Sequence, residues 1–246
     1  MRRERLGDLT PEANTNAGLW LDKYLSDKKD PKPLLVKEIA DTIKTSDLYP
    51  DFFNHWKAAL TNDERTKLAE AKVEGRLAIG LGDDGVLETS ITLHHTYGVP
   101  YLRGSALKGL AAAFARNRIG GMWAKNSPAY KAVFGETDDA GYVTFHDALY
   151  VPGSGHNRQA LYADIMTVHH KDYYGSGNKP PADWDEPTPV PFLSATGEYL
   201  IALSAPENCE EWLKAAFGIL KLALAEEGIG AKTSSGYGRM KLEVNK

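Results

Sequence analysis

Apolar residues recur along this chain in two periods, and each change of period marks an element. Over the first seventy residues the spacing is helical and irregular: Asp30-Pro31-Lys32-Pro33 breaks the start, then Leu35, Ile39 and Ile43 follow at steps of four. A second helix is expected from Phe53 to Ala71. From Lys72 to Leu81 the pattern alternates, with Val73, Leu77 and Ile79 among polar or small residues, until Gly80, Gly82 and Gly85 end it in a turn. This stretch reads as the first core strand. Ile91-Thr92-Leu93 and Val99-Pro100-Tyr101-Leu102 read as short extended pieces leading into a helix. Gly104-Ser105 precedes that helix, Ser105 is placed to accept from its first free amides, and Leu107, Leu110, Ala111 and Phe114 form its apolar stripe. Ile119-Gly120-Gly121 ends it.

Tyr142 to His146 is expected as a second strand, and Phe192 to Leu203 as a third, interrupted by a turn at Thr196-Gly197. Between them, Gly153 to Pro191 is rich in Gly, Pro, His, Tyr and Asp and too long for an ordinary connection. The last helix starts near Pro206-Glu207-Asn208, where Asn208 and Glu211 have capping-box spacing, and its stripe of Leu213, Phe217, Leu220 and Leu224 is core. Gly238 to Val244 closes the chain as a strand. Without the N-terminal helices the order is β-α-β-β-α-β, an α+β ferredoxin-like arrangement of an antiparallel sheet with helices on one face. We therefore expect one domain: residues 1–71 as a helical extension and 72–246 as the core, with an insertion at about 153–191.

Composition excludes whole classes of protein. The chain has 246 residues, 42% hydrophobic and 25% charged, so it can bury a core and is not a disordered or fibrous sequence. Its single Cys209 rules out an internal disulfide and a cysteine zinc site, which fits a reducing cytoplasm. No apolar run approaches the roughly 18 residues of a membrane helix, and the basic start Met1 to Arg5 runs into Gly7-Asp8 and Pro11-Glu12, not into a signal peptide. Neither targeting nor membrane insertion is expected.

The net charge of −4 argues against coating nucleic acid by bulk electrostatics, yet the charges are segregated. Arg103, Lys108, Arg116 and Arg118 occupy Tyr101 to Arg118 without an acid, and Lys232, Arg239 and Lys241 occupy Gly228 to Lys241 likewise. A basic groove on an acidic body follows. Within Gly228 to Arg239, glycines including Gly230 let the backbone turn its amides to one ligand. Lys232 and Arg239 add charge there, Thr233, Ser234 and Ser235 add hydroxyls, and Tyr237 adds a ring. A helix cap and tight turn would explain Gly228 but not this run of donors. It is not a Walker A loop, because Ala231 precedes Lys232 and the loop follows a helix.

Gly98 to Gly109 places amides, Ser105 and Lys108 at a helix N-terminus, a second place where an anion is favoured; a capped helix with solvated charges is the plainer alternative. Two cradles suit a polymer backbone better than a mononucleotide. The pairs His94-His95 and His169-His170, with Asp164 and Asp172 near the second, suit metal binding or acid-base work. Neighbours in an extended segment point apart, however, so a pair does not readily share one metal. The better reading of His169, His170, Tyr173, Tyr174 and Trp184 is a stacking loop for unpaired bases. No nucleophile elbow and no HExxH helix is present.

These segments resemble a known family. Val99 to Gly109 is similar to the "IPGSSLKG" segment of the CRISPR RAMP superfamily, and Gly228 to Gly238 to its C-terminal glycine-rich loop. Asp164 to Tyr174, Pro180 to Trp184, Pro187 to Leu193 and the N-terminal Asn16 to Tyr24 resemble the sixth-subunit family of the type III-B Cmr effector complex, so the likeness spans nearly the whole chain. The sequence departs from the superfamily at Arg103, where Pro is common, and at Ala106, where a second Ser is common; the lost hydroxyl weakens one phosphate contact and Arg103 offers a stronger one.

The resemblance implies a non-catalytic subunit that needs no cofactor or metal and caps the backbone filament of an antiviral ribonucleoprotein near the 3′ part of the CRISPR RNA. Implied partners are CRISPR RNA, target RNA, the backbone RAMP subunit, the small helical subunit and another capping RAMP subunit, with no membrane. The candidate RNA contacts are Arg103, Ser105, Lys108, Arg116, His169, His170, Tyr173, Gly230, Lys232, Thr233, Ser234, Ser235, Tyr237 and Arg239. The alternatives from other classes are an endoribonuclease using His169 and His170 with nearby aspartates, and a small-molecule phosphate binder using the glycine loop.

Overall fold

The computed structural model describes residues 9–26, 30–168 and 187–244. Three helices come first: α1 (Ala17–Lys23), α2 (Pro31–Thr42) and α3 (Tyr49–Thr61). Asn16 caps α1 by accepting from the Leu19 amide at 2.9 Å, and prolines stand in the first turns of α2 and α3, where no amide is missed. The central sheet then uses β1 (Thr66–Val73), β2 (Tyr101–Leu102), β3 (Thr144–Phe145), β4 (Ala148–Tyr150), β7 (Glu198–Ser204) and β8 (Met240–Val244). Its order is β2-β4-β7-β1-β8, with β3 also on β7, and every pairing is antiparallel. Helix α4 (Gly104–Phe114) follows β2, and α6 (Glu210–Glu226) joins β7 to β8; the two helices pack on each other, and α6 packs on β8. Taking β1, β4, β7 and β8 as the four core strands, this is the ferredoxin-like order that the sequence predicts.

A second sheet is a hairpin of β5 (Leu161–Val168) and β6 (Thr188–Ala195) lying against α2. Between α4 and β3 a π-helical turn at Ala115–Ile119 is ended by Gly120, and α5 (Pro128–Phe134) is capped by Ser127. One continuous core joins α1 to α3 with the central sheet, as when the buried Tyr49 hydroxyl donates to the Tyr150 carbonyl at 2.6 Å. Among the described residues no helix is long and apolar enough to cross a membrane.

Several elements differ from their expected places. Helix α3 stops at Thr61, and Thr66 to Val73, expected to lie partly in that helix, is a strand. Ala69, Ala71 and Val73 are buried between β7 and β8, and pairing on both sides overrides the helical propensity of Leu, Ala, Glu and Lys. Only Lys72 and Val73 of the expected Lys72–Leu81 strand are in β1. Beyond them the chain is irregular, tied by the bridge from Leu77 to Ala195. The expected second strand, Tyr142 to His146, holds only the two residues of β3; the core strand beside β7 is β4, which begins beyond it at Ala148, after the break at His146-Asp147. The expected third is β6 and β7, which turn at Thr196-Gly197 as predicted but belong to different sheets. Gly153 to Pro191 is therefore built on a hairpin. The capping box at Asn208 is not formed: Asn208 is left-handed at φ 62°, Cys209 is the N-cap, and no side chain caps α6.

Candidate nucleic-acid interface

After α6 the glycine-rich loop folds back along Arg76 to Ile79. The Ala231 amide donates to the Ala78 carbonyl at 2.7 Å, the Gly238 amide to the Arg76 carbonyl at 2.8 Å, and the Ile229 amide to the Gly238 carbonyl at 2.9 Å. Gly230 lies at φ 91°, and a Cβ there would strike the Ala78 carbonyl oxygen, so only glycine fits. Gly230 thus shapes the loop. Lys232 takes left-handed geometry and opens a single 3₁₀ turn, Thr233–Ser235, in which Ser235 donates to the Lys232 carbonyl at 2.9 Å. The Thr233 and Ser234 amides at the start of that turn have no acceptor among the described residues. Ser234 and Ser235 are exposed, Thr233 is half-buried, and Lys232 makes no ion pair with any described residue. Unclaimed amides, hydroxyls and one ammonium make an anion cradle.

Arg239 and Tyr237 have other work. The Arg239 Nη1 donates to the carbonyls of Ala225 and Glu226 at 2.7 and 2.6 Å, closing the C-terminus of α6. Tyr237 is half-buried, its ring centroid 6.0 Å from that of Phe192 in β6. Burial, and then the Asp164 carboxylate beside it, push its hydroxyl above the ordinary range. Asp164 also accepts from Ser194 at 2.7 Å, and the Arg76 guanidinium lies 3.9 Å over the Tyr162 ring. Tyr237 thus seats the loop against the β5–β6 hairpin, and Arg76 seats the connector there. Arg76 and Tyr162 were not expected at the site, because only the fold brings residues so distant in sequence to one place.

The N-terminus of α4 is already partly occupied. Its Gly104 amide donates to Asp147 Oδ1 at 2.7 Å, so the cap is an aspartate from the β3–β4 break and not Ser105, which lies inside the first turn, exposed. A Cβ on Gly104 would strike the Phe145 carbonyl, which sets how close the helix start lies to β3. Arg103 is half exposed and pairs with Asp83 at 2.8 Å; Tyr101 and Asp83 hold its guanidinium still more firmly protonated. Lys108 is half-buried and Arg116 exposed, and neither is ion-paired to a described residue, whereas Arg118 binds Glu227 at 2.9 Å.

The connector from Arg76 to Asp83 links the glycine loop to the start of α4: the loop bonds to its first residues, and Arg103 to its last. Arg116, one helix further on, lies roughly 20 Å along the α4 axis from Arg103. His169, His170 and Tyr173, with Trp184, lie outside the described residues.

The other histidine pair lies at the start of a turn, closed by the Gly98 amide donating to the His94 carbonyl at 2.8 Å, and its two side chains take different surroundings. His95 is exposed, while the His94 ring turns inward among Phe52, Tyr97 and Tyr101, at centroid distances of 5.4, 5.1 and 6.3 Å. Burial, and then the neighbouring His95, lower the affinity of His94 for a proton, with Asp147 opposing. Asn16 donates to the carbonyls of His95 and Thr96, both at 3.0 Å, and so ties α1 to this segment. Between them runs a groove of about 870 Å³ lined by Asp22, Asp83, His94, Tyr101 and Arg103, among others.

The sequence profile of the RAMP superfamily matches residues 70–241, a span that holds the glycine loop, the start of α4, strands β2, β3, β4 and β7, the second half of β1 and the first two residues of β8. The chain belongs to the RAMP superfamily. Among RAMP-related proteins, the CRISPR system Cmr subunit Cmr6 of Pyrococcus furiosus is 29% identical, spanning 80% of this chain and 74% of that one. A chain in the cryo-EM structure of the type III-B Cmr-beta complex bound to cognate target RNA shares the fold. Its TM-score is 0.66 at 20% identity, over 86% of this chain and 71% of that one. The crystal structure of Cmr6 from Pyrococcus furiosus is 29% identical over 72% of this chain and 98% of that one, with a TM-score of 0.48.

Proposed function

We propose that this chain is a non-catalytic, CRISPR-RNA-binding subunit of a type III-B (Cmr) antiviral effector ribonucleoprotein, acting in the cytoplasm as a single RAMP domain. It caps the backbone filament near the 3′ part of the guide, next to the backbone RAMP subunit, the small helical subunit and another capping RAMP subunit, where target RNA also passes. The kinship to the Pyrococcus Cmr6 chain supports the complex. The observation that carries RNA binding is the 3₁₀ turn at Thr233–Ser235, whose first amides and Lys232 are unclaimed by the described residues, held by a backbone scaffold that needs no ligand to form. Such a cradle holds phosphate without reading bases. His169, His170 and Tyr173 join the proposal as stacking partners at the end of the β5–β6 hairpin, which the loop already touches through Tyr237.

The test is filter binding of single-stranded RNA, duplex DNA and free nucleotides across a salt series. Single-stranded RNA is expected to bind with little sequence preference, losing affinity as salt rises with a slope of about 0.7 per phosphate contacted. Flat salt dependence, or equal affinity for a mononucleotide, defeats the reading.

A further inference from the structure

Away from the loop, a cleft of about 640 Å³ opens between the end of α3, the start of β1 and the outer side of α6. Leu68 of β1, half-buried, lines it above a floor made by the buried Leu213 and Phe217 of α6, with Thr61 of α3 among its lining. In the middle of α6 its lining includes Gly218. Glycine is the costliest residue in a helix interior after proline, and here the chain itself does not require it: Gly218 is exposed, and a Cβ there would meet nothing within 4 Å among the described residues. A helix face smoothed at one point, above an apolar wall, suits the close approach of another backbone.

The charge around the cleft says what kind of backbone. Lys67, Lys214 and Lys221 stand on its rim against the single Glu210. Lys214 reaches Glu211 at 2.8 Å, while Lys67 and Lys221 form no ion pair with a described residue. The adjoining depression, which shares Lys67, Glu210 and Leu213, carries Asp63, Glu64 and Glu207 as well, with Arg65 paired to Asp63 at 2.9 Å, so the positive rim is confined to Lys67 and the α6 side and suits a few carboxylates, not a long polyanion. We propose that this cleft docks a segment of a partner protein that carries an apolar ridge flanked by acidic side chains, its backbone crossing α6 at Gly218 and its carboxylates meeting Lys67 and Lys221. The surface shares no residue with the RNA cradle, so either assignment can fail alone.

The test uses the complex purified from the native host. With a photo-crosslinking amino acid in place of Lys221, the expected product is one peptide from a second protein, net negative and amphipathic. Gly218→Trp fills the cleft and is expected to lower recovery of that protein at least tenfold with an unchanged circular-dichroism spectrum, and Gly218→Ala to raise the melting temperature of the isolated chain. The surface pair Lys67→Glu with Lys221→Glu should weaken recovery too, and reversing the crosslinked acid to Lys on the partner should restore it. Crosslinks to RNA, to a second copy of this chain or to a basic peptide overturn the proposal. So do no crosslink at all, or full recovery of the partner with both the Gly218→Trp and the lysine variants.

Discussion

Lys232 and Arg239 belong to one loop, and both are cations, yet their surroundings divide them. Lys232 has no partner among the described residues, whereas Arg239 bonds to two carbonyls at the end of α6. Lys232→Ala is therefore expected to reduce the salt slope of RNA binding by about 0.7 with no change in melting temperature. Arg239→Ala is expected to cost about 1 kcal/mol of stability through the lost cap and to leave the slope nearly unchanged. Filter binding and thermal melts on the same two variants separate these effects.

His94 makes a different residue-scale prediction. Burial keeps its proton affinity below the ordinary imidazole value of about 6.5, so the unfolded chain takes up a proton before the folded one does. Its stabilising contribution is full above that value and is lost as pH falls through it. Melting temperatures between pH 7.5 and 5 should accordingly fall more steeply for the native chain than for His94→Phe, whose ring fits among Phe52, Tyr97 and Tyr101. Parallel curves would show that His94 does not titrate as its burial requires.

At the scale of elements, α4 is set by a residue far away in sequence. Its stripe of Leu107, Ala111 and Phe114, and the Gly120 that ends the π-helical turn following it, are legible from spacing alone. Its start is not, because the capping carboxylate of Asp147 arrives from the β3–β4 break. Asp147→Ala is expected to destabilise the chain by about 1 kcal/mol, while Asp147→Asn keeps an acceptor and loses less; urea unfolding of both, with unchanged m-values, measures it. The β1 register carries the same lesson. Leu68 to Ala71 satisfies helical and strand patterns alike, and only the partners on either side, β7 and β8, select the strand.

At the scale of the molecule, the helical extension is expected to be inseparable from the core. Trp20, Leu35, Ile39, Tyr49 and Phe53 are buried in the same cluster as Leu107, Ile201 and Phe217. Removing residues 1–61 should therefore leave no cooperatively folded RAMP core. A truncated chain that melts in a single sharp transition near the native temperature would show instead that the extension is a separate unit.

The sequence by itself determined the order of core elements, the two helices α4 and α6, the turn at Thr196-Gly197, and the loop that carries the donors. Each of these is written in local terms: a period of apolar residues, a glycine where the backbone turns left-handed, hydroxyls beside a lysine. Tertiary structure alone decided which donors stay free. Arg239 gives its Nη1 to the end of α6 and Arg103 one amino group to Asp83, Asp147 takes the place given to Ser105, and Tyr237 is turned toward Phe192 and Asp164. The physical reason is that a hydrogen-bonding group spends its capacity on the nearest acceptor in space. Which acceptor that is depends on contacts between residues far apart in the chain.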